Sequence, residues 1–379
     1  MGGFGTGWIL VPTFTGALLD IVGYGILQTA WGYIKPSGPA PTPKALISDF
    51  SGVVRAGEML LVLGRPGSGS STFLRALTNQ PRSFTQVSGD LKYGGLGYDA
   101  ATGRFRGEIL LNQEDDTHIA TLTVDQTLKF ALRTKTPRTR TPGTTRKGFV
   151  EQMAELLVDV FKMRHVRDTI VGDAYTRGVS GGERKRVSIM EALASRAAVN
   201  AWDNSTRGLD HVSAQDYIRS LRILNLHTAS TTVVTLYQAG EGIYNEFDKV
   251  CLIDEGRQIY FGKASEARAY FEGLGYEAAP RITTADFLTT ITDPNGRVVK
   301  PGWEQRVPST PKELEDAFRN SRHWQVLQEE LQSFEREMEK TGGKGVKEFE
   351  KTVVGEKSKI ARKKSPYTVS FPMQVSARL

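Results

Sequence analysis

A glycine-rich loop between an apolar run and a helical run constrains this chain more than any other feature. The run MLLVL at residues 59–63 favours a buried strand, and FLRAL at residues 73–77 favours a helix. Glycines in such a loop let backbone amides wrap phosphate oxygens at a helix N-terminus, whose dipole favours anions. We therefore predict a phosphate-binding loop in which the hydroxyl of Ser71 meets a magnesium ion. The loop residues are Gly64, Arg65, Pro66, Gly67, Ser68, Gly69, Ser70, Ser71 and Thr72.

One position departs from the usual phosphate-loop pattern. Ser70 stands where the pattern has a lysine, whose ammonium group reaches the β- and γ-phosphates. Without that lysine, the loop taken alone is about as consistent with a structural turn as with a nucleotide site. Residues further along the chain have to decide between the two.

Two later segments favour the nucleotide site. More than a hundred residues downstream, a serine and two glycines open a helical run, an arrangement that binds phosphate through backbone amides and a hydroxyl. The run from residue 197 to Asp203 is typical of a strand that ends in a carboxylate, and such an Asp is the usual indirect partner of magnesium near a phosphate loop. The residues that open the helical run are Val179, Ser180, Gly181, Gly182 and Glu183.

Taken together, these residues resemble the ATP-binding domain of ABC ATPases, for which SGGE is the signature. The segments GRPGSGSSTFLRAL, WDNSTRGLD, TLYQAGEGIYNEFDKVCLIDEGRQIYFG, TTADFLTTITDPNGR and SPYTVSFPMQV resemble the N-terminal nucleotide-binding domain of pleiotropic drug resistance transporters. The resemblance covers roughly residues 48–379. It implies an α/β fold: a P-loop NTPase core with an antiparallel β subdomain and an inserted helical subdomain around residues 122–194.

The same resemblance implies cofactors and partners. The cofactors are ATP and Mg²⁺. The partners are a second ABC nucleotide-binding domain and the transmembrane domain of the same transporter, with no nucleic acid. The implied function is export of drugs or lipids from the cytoplasmic face of a membrane, the plasma membrane for the full transporter. The chain would then stop just before its membrane domain.

Three further positions depart from a working ATPase of this family. Glu114 stands at the usual glutamine that senses magnesium and water, Asn204 at the catalytic glutamate, and Tyr237 at the switch histidine. A carboxamide orients a water molecule but does not accept its proton, and general-base help is worth about 10²–10⁴ in rate. We predict a degenerate site with no intact catalytic residue, which binds ATP and hydrolyses it very slowly.

The signature residues 179–183 would then serve a second site, because two such domains sandwich two nucleotides and each site pairs one phosphate loop with the other signature. Asp210 would lie at this dimer interface, or cap the helix that follows it, or both. The base-stacking aromatic is undecided between Tyr33 and Phe50. Two alternatives stay open: a soluble ABC protein of translation or repair, and a regulatory subunit that no longer binds nucleotide.

Composition and spacing divide the chain into three parts. Residues 1–43 form an apolar segment and a proline-rich linker, residues 44–295 the nucleotide-binding domain, and residues 296–379 a helical and charged connector. The apolar run at 8–34 carries only Asp20, and we expect it to pack on the domain or lie at an interface rather than span a membrane. In the connector we predict one helix after Pro311 and a flexible stretch from Gly342 to Lys364.

Charge adds little on its own. The net charge of +7 is compatible with a nucleic acid, an anionic membrane or a nucleotide as ligand. Residues 126–150 hold seven basic and no acidic side chains, a pattern that we interpret as a solvated surface loop in preference to a dedicated phosphate or lipid site. The single cysteine, Cys251, lies in an apolar run and is expected to be buried in a strand.

Overall fold

A computed structural model of the chain describes residues 10–13, 18–19, 44–78 and 87–377. The strands of the described part are β1 (Leu10–Thr13), β2 (Leu18–Leu19), β3 (Lys44–Ala45), β4 (Met59–Leu63), β5 (Asp90–Tyr93), β6 (Leu96–Gly97), β7 (Ile109–Asn112), β8 (Val199–Asp203), β9 (Thr231–Thr235), β10 (Lys249–Asp254), β11 (Arg257–Lys263), β12 (Tyr276–Glu277) and β13 (Val298–Val299). The helices are α1 (Ser70–Leu77), α2 (Tyr98–Thr102), α3 (Val124–Lys135), α4 (Arg146–Val160), α5 (Gly181–Ala194), α6 (His211–Thr228), α7 (Glu241–Tyr244), α8 (Ala264–Gly273), α9 (Thr284–Ile291), α10 (Pro311–Arg319), α11 (Arg322–Lys340), α12 (Lys344–Glu356) and α13 (Phe371–Ser376).

The core is a six-stranded sheet in the order β11-β10-β4-β9-β8-β7. All neighbours from β10 to β7 are parallel, and β11 is an antiparallel edge strand. Strands β4, β8, β9 and β10 are buried along their whole length, as expected for parallel strands covered on both faces. The loops that follow β4, β7, β8 and β9 leave the same edge of the sheet, which is where the predicted site residues lie.

Two smaller units accompany this sheet. Strands β1, β5 and β6 form an antiparallel sheet, and helices α3, α4 and α5 occupy the connection between β7 and β8. The α/β core, the antiparallel β subdomain and the inserted helical subdomain are therefore confirmed. Cys251 is fully buried in β10, also as predicted, and burial raises its pKa to about 12.

The connector differs from its prediction in two ways. The predicted helix after Pro311 is in fact two helices, α10 and α11, separated at Asn320 and Ser321. Leu327, Leu331 and Phe334 lie at helical spacing in α11 and are buried. The prediction of a flexible stretch from 342 to 364 was wrong over much of its length, because residues 344–356 form α12. Phe349 and Val353, one turn apart, are buried there, and the Phe349 ring lies 5.3 Å from that of Phe105.

Within the described ranges, no helix has both the length and the apolar character needed to cross a bilayer. The prediction for the apolar run at 8–34 falls almost entirely outside the described residues. The three domain boundaries remain predictions.

Candidate functional site

The loop between β4 and α1 has the conformation that a phosphate ligand requires. Gly67 and Gly69 have φ angles of +84° and +107°, which residues with a side chain rarely adopt. At Gly64, a Cβ atom would overlap the Ser68 hydroxyl and lie 2.6 Å from the carbonyl oxygen of Ile253. Gly69 begins α1 without a side-chain cap, so the first amides of the helix have no partner within it. These amides fit an anion, and the loop fits a nucleotide phosphate.

The missing lysine leaves the loop without a free cation. The hydroxyl of Ser70 is buried and lies 3.0 Å from the hydroxyl of Ser68, so it bonds inside the loop. Arg65 is the one cation between residues 64 and 72, and its guanidinium group lies 3.5 Å from the carboxylate of Asp254. The loop therefore offers a phosphate its backbone amides and the dipole of α1. Its one cationic side chain, Arg65, is already paired with Asp254.

Ser71 and Asp203, which we predict to bind magnesium, are hydrogen-bonded to each other. The Ser71 hydroxyl donates to Asp203 Oδ1 at 2.9 Å, and Thr235 at the end of β9 donates to the same oxygen at 2.8 Å. Burial raises the pKa of Asp203 above its ordinary value. A hydroxyl and a carboxylate are oxygen ligands of the kind that Mg²⁺ prefers, so these residues fit the ion. Thr235, a polar residue at the end of a buried strand beside β8, was not among the site residues predicted from the sequence.

Two of the departing residues contact each other directly. The side-chain amide of Asn204 donates to Glu114 Oε1 at 2.9 Å, and Arg207 donates to the same oxygen at 2.7 Å. The backbone of Asn204 has a φ angle of +45°, which asparagine tolerates better than most residues. Its backbone N–H donates to the Thr235 hydroxyl at 2.9 Å. Asn204 is thus held by neighbours on both sides, and Arg207 is a member of the site that the sequence analysis did not find.

Tyr237 follows β9 and lies half-buried near the same cluster. Burial, followed by the negative charges of Glu114 and Asp203, raises the pKa of its phenol. The side chain therefore stays protonated and neutral around pH 7. It can donate a hydrogen bond from the position that we predict to be that of the switch histidine, but it does not carry the positive charge of an imidazolium.

The signature residues form a capping box at the start of α5. The Ser180 hydroxyl accepts from the Glu183 N–H at 3.3 Å, and Glu183 accepts from the Ser180 N–H at 2.8 Å. These hydrogen bonds lower the pKa of Glu183. Val179 is buried, whereas Ser180 and Gly181 are exposed. Glu183 therefore stabilises the helix start, and the hydroxyl and amides in front of it remain accessible.

A buried lysine connects α5 to the segment that carries Glu114. Lys185, one turn into the helix, donates to the carbonyl oxygens of Glu114 at 2.9 Å and Gln113 at 3.4 Å. Its ammonium also lies 3.1 Å from Asp116. One side chain thus holds the segment after β7 against the signature helix.

Two other predicted residues have clear positions. Asp210 is the N-cap of α6 and accepts from the Ser213 N–H at 3.1 Å, so the capping role is confirmed and the interface role remains a prediction. Phe50 is 0% exposed, and its ring packs 4.9 Å from that of Phe73. A fully buried ring does not stack on a nucleotide base, which removes Phe50 as a candidate. Tyr33 lies outside the described residues.

Comparison with known proteins agrees with this geometry. The family described as "ABC transporter" matches residues 47–207. ABC multidrug transporter atrF of Aspergillus fumigatus is 46% identical over 377 residues, which are 99% of this chain and 24% of that protein. ABC multidrug transporter I of the same fungus is 45% identical over 379 residues, 100% of this chain and 25% of that protein. ABC transporter G family member 14 of Dictyostelium discoideum is 46% identical over 332 residues, which are 88% of this chain and 23% of that protein.

The chain therefore spans about a quarter of the length of the relatives that it matches. The matched residues include the phosphate loop, the signature and the strand that ends in Asp203. The chain belongs to the ABC transporter family, of which it is an ATP-binding domain.

Proposed function

We propose that this domain powers export by a multidrug-type or lipid transporter while its own nucleotide site binds Mg·ATP and hydrolyses it very slowly. One observation carries the proposal. The binding elements of the site are in place around Ser71 and Asp203, whereas the general-base position is held by an amide that is bonded to Glu114.

The binding half of the proposal rests on the phosphate loop. The amides at the start of α1 would hold the phosphates of ATP, and the Ser71 hydroxyl with Asp203 would hold Mg²⁺. The bound ion would neutralise phosphate charge. The chain's own residues orient this pair, because Thr235 and Ser71 both donate to the Oδ1 atom of Asp203.

The slow turnover follows from the donors and acceptors around Asn204. Its amide does not accept a proton from water, and the Glu114 oxygen beside it already accepts from both Asn204 and Arg207. Tyr237 is neutral, and Ser70 brings no charge to the loop. Phosphoryl transfer depends mainly on positioning and on electrostatic stabilisation of the transferred phosphoryl group. This site lacks most of the groups that would provide the electrostatic stabilisation.

The signature would act across an interface. The exposed Ser180 hydroxyl and the N-terminus of α5 would contact the nucleotide held by a second ABC nucleotide-binding domain. Asp210 would lie at that interface. The transmembrane domain of the same transporter would select the exported compound, and this domain would sit at the cytoplasmic face of the plasma membrane. The names of the relatives, ABC multidrug transporters, support this assignment.

Two measurements on the purified chain test the proposal. Calorimetric titration with ATP and Mg²⁺ should show weak binding, and a phosphate-release assay should show negligible turnover. Asp203→Ala is the control, because it removes the carboxylate that would bind magnesium together with Ser71. Robust magnesium-dependent turnover that disappears in Asp203→Ala would overturn the degenerate-site assignment, and absence of ATP binding would overturn the binding half.

A further inference from the structure

Two basic segments that are far apart in sequence lie side by side in the fold. The first is the run 126–150 with its seven basic and no acidic side chains, and the second is 357–377, which also has no acidic residue. The N–H of Arg138 donates to the carbonyl oxygen of Glu356 at 2.7 Å. Gly107 joins them a second time: its carbonyl accepts from Lys135 at 2.6 Å, and a Cβ atom added to it would lie 2.7 Å from the carbonyl oxygen of Pro366.

We name the combined feature the basic surface. Its exposed cations come from both segments, three from the first and four from the second. They are Arg133, Arg138, Lys147, Lys359, Arg362, Lys363 and Lys364.

Little negative charge compensates this surface. Glu356, where the two segments meet, is paired with Arg196 at 3.5 Å, and Glu108 is largely buried. Lys357 donates to the carbonyl oxygens of Lys363 and Ser365, which folds the second segment back on itself. Burial and the nearby positive charge of Arg104 lower the pKa of Lys357. The fold therefore gathers like charges that gain from an anionic partner.

Exposed apolar side chains are interleaved with these cations. Ile360 is 78% exposed and directly follows Lys359, and Tyr367 is 59% exposed just beyond Lys364. Alternation of basic and exposed apolar or aromatic residues is typical of segments that rest on a bilayer. Single-stranded nucleic acid is bound through cations and stacked aromatic rings, but an exposed isoleucine has no role there and favours the lipid.

We propose that the basic surface docks on a membrane leaflet rich in acidic phospholipids, with Ile360 and Tyr367 in the headgroup layer. Each cation near such a surface contributes about fivefold to the partition constant. Seven exposed cations from two segments therefore make a contact that responds strongly to acidic lipid content and to salt. This contact belongs to the domain itself and adds to any attachment through a transmembrane domain.

Co-sedimentation of the purified chain with vesicles tests the proposal. Vesicles of phosphatidylcholine with phosphatidylserine should bind the chain much more strongly than vesicles of phosphatidylcholine alone, and high salt should abolish the difference. The variant with Arg362→Glu, Lys363→Glu and Lys364→Glu should bind the acidic vesicles at least about tenfold more weakly. The matched control reverses the three exposed lysines Lys340, Lys344 and Lys347, which lie where α11 ends and α12 begins, with the same change in net charge.

The control should bind acidic vesicles nearly as well as the unmodified chain, and all proteins should unfold at similar temperatures because the altered side chains are exposed. Ile360→Ser should weaken binding without changing its salt dependence. Equal losses in both charge-reversal variants would show that only net charge matters and would overturn the proposal. Binding of single-stranded RNA that is lost in the Arg362, Lys363 and Lys364 variant, with no preference for acidic vesicles, would overturn it as well.

Discussion

The side-chain amide of Asn204 donates a hydrogen bond to the carboxylate of Glu114 over 2.9 Å. At each of these positions we predict, from the resemblance, that an active ATPase of this family has a different residue, and the two predicted departures are complementary. A glutamate at 204 would face the carboxylate at 114, whereas asparagine supplies a donor. The two departures therefore form one interacting unit.

This contact predicts a non-additive response to mutation. Asn204→Glu alone should destabilise the domain by about 1 kcal/mol or more, because it replaces a hydrogen bond by two adjacent carboxylates. Adding Glu114→Gln should recover the part of that loss that comes from the two carboxylates, with a coupling free energy of about 0.5–3 kcal/mol, whereas the cost of a glutamate at the positive φ angle of residue 204 remains. Thermal unfolding of the two single variants and the double variant measures the coupling. Additive losses would mean that the two side chains do not interact in solution.

The packing at Gly64 predicts loss of nucleotide binding. Gly64→Ala would push a methyl group into the Ser68 hydroxyl and the Ile253 carbonyl, so the loop would have to move. ATP affinity, measured by calorimetry, should fall by at least about tenfold, since the loop amides lose their alignment. Gly355→Ala is the matched control, because a Cβ atom there meets nothing within 4 Å, and it should bind ATP normally.

Restoring the missing charge should raise affinity without restoring turnover. Ser70→Lys would bring an ammonium group to the β- and γ-phosphates, and calorimetry should show tighter ATP binding. Ser70→Met controls for side-chain length without charge and should not tighten binding. Phosphate release should stay negligible in both variants because Asn204 is unchanged. Weaker binding by Ser70→Lys than by Ser70→Met would contradict a phosphate-binding role for the loop.

The raised pKa of Asp203 predicts that this residue lowers the free energy of unfolding at neutral pH. Its pKa is raised by burial, so the unfolded chain loses the proton at lower pH than the folded chain does. Stability contributed by this residue is thus full below its ordinary pKa of 3.8 and falls as pH rises through the raised value. Asp203→Asn should therefore unfold at a higher temperature than the unmodified chain at neutral pH, with a smaller difference in acid. Its affinity for Mg·ATP should fall at the same time, which separates stability from function.

The signature predicts a division of labour that only a full-length transporter can reveal. Ser180→Asp keeps an N-cap for α5 and so should preserve the fold, but it sets a carboxylate where a partner's nucleotide phosphate would lie. ATPase activity in membranes at equal expression should be abolished. Ser70→Ala in the same transporter should cost little, since that loop already lacks its cation. Full activity of Ser180→Asp would mean that the serine serves only as a helix cap.

The sequence predicted the parts of the site that are local in the chain. The loop from 64 to 72 follows from three glycines between a strand and a helix, and Asp203 from its place at a strand end. The bond between Glu114 and Asn204 joins residues 90 positions apart, and only the sheet order brings them together. Thr235 was missed for the same reason, because its role depends on which strand neighbours β8.

The errors in the connector have a different cause. Glycine and lysine content indicated a flexible stretch, but Phe349 and Val353 repeat at helical spacing and bury their side chains against the domain. Local composition outweighed periodicity in that prediction. Phe50 was a candidate for base stacking only because it is aromatic, and its complete burial could not be inferred from the sequence.

The ammonium group of Lys185 has a consequence for communication between the two halves of a transporter. It holds the backbone of Glu114, at this domain's own nucleotide, to the helix whose first residues would face the partner's nucleotide. A shift of the Glu114 segment on ATP binding would move the start of α5 through the Lys185 contact, without any hydrolysis. A site that binds ATP but does not hydrolyse it would then act as an allosteric sensor, and its bound ATP would affect the second site, where hydrolysis takes place.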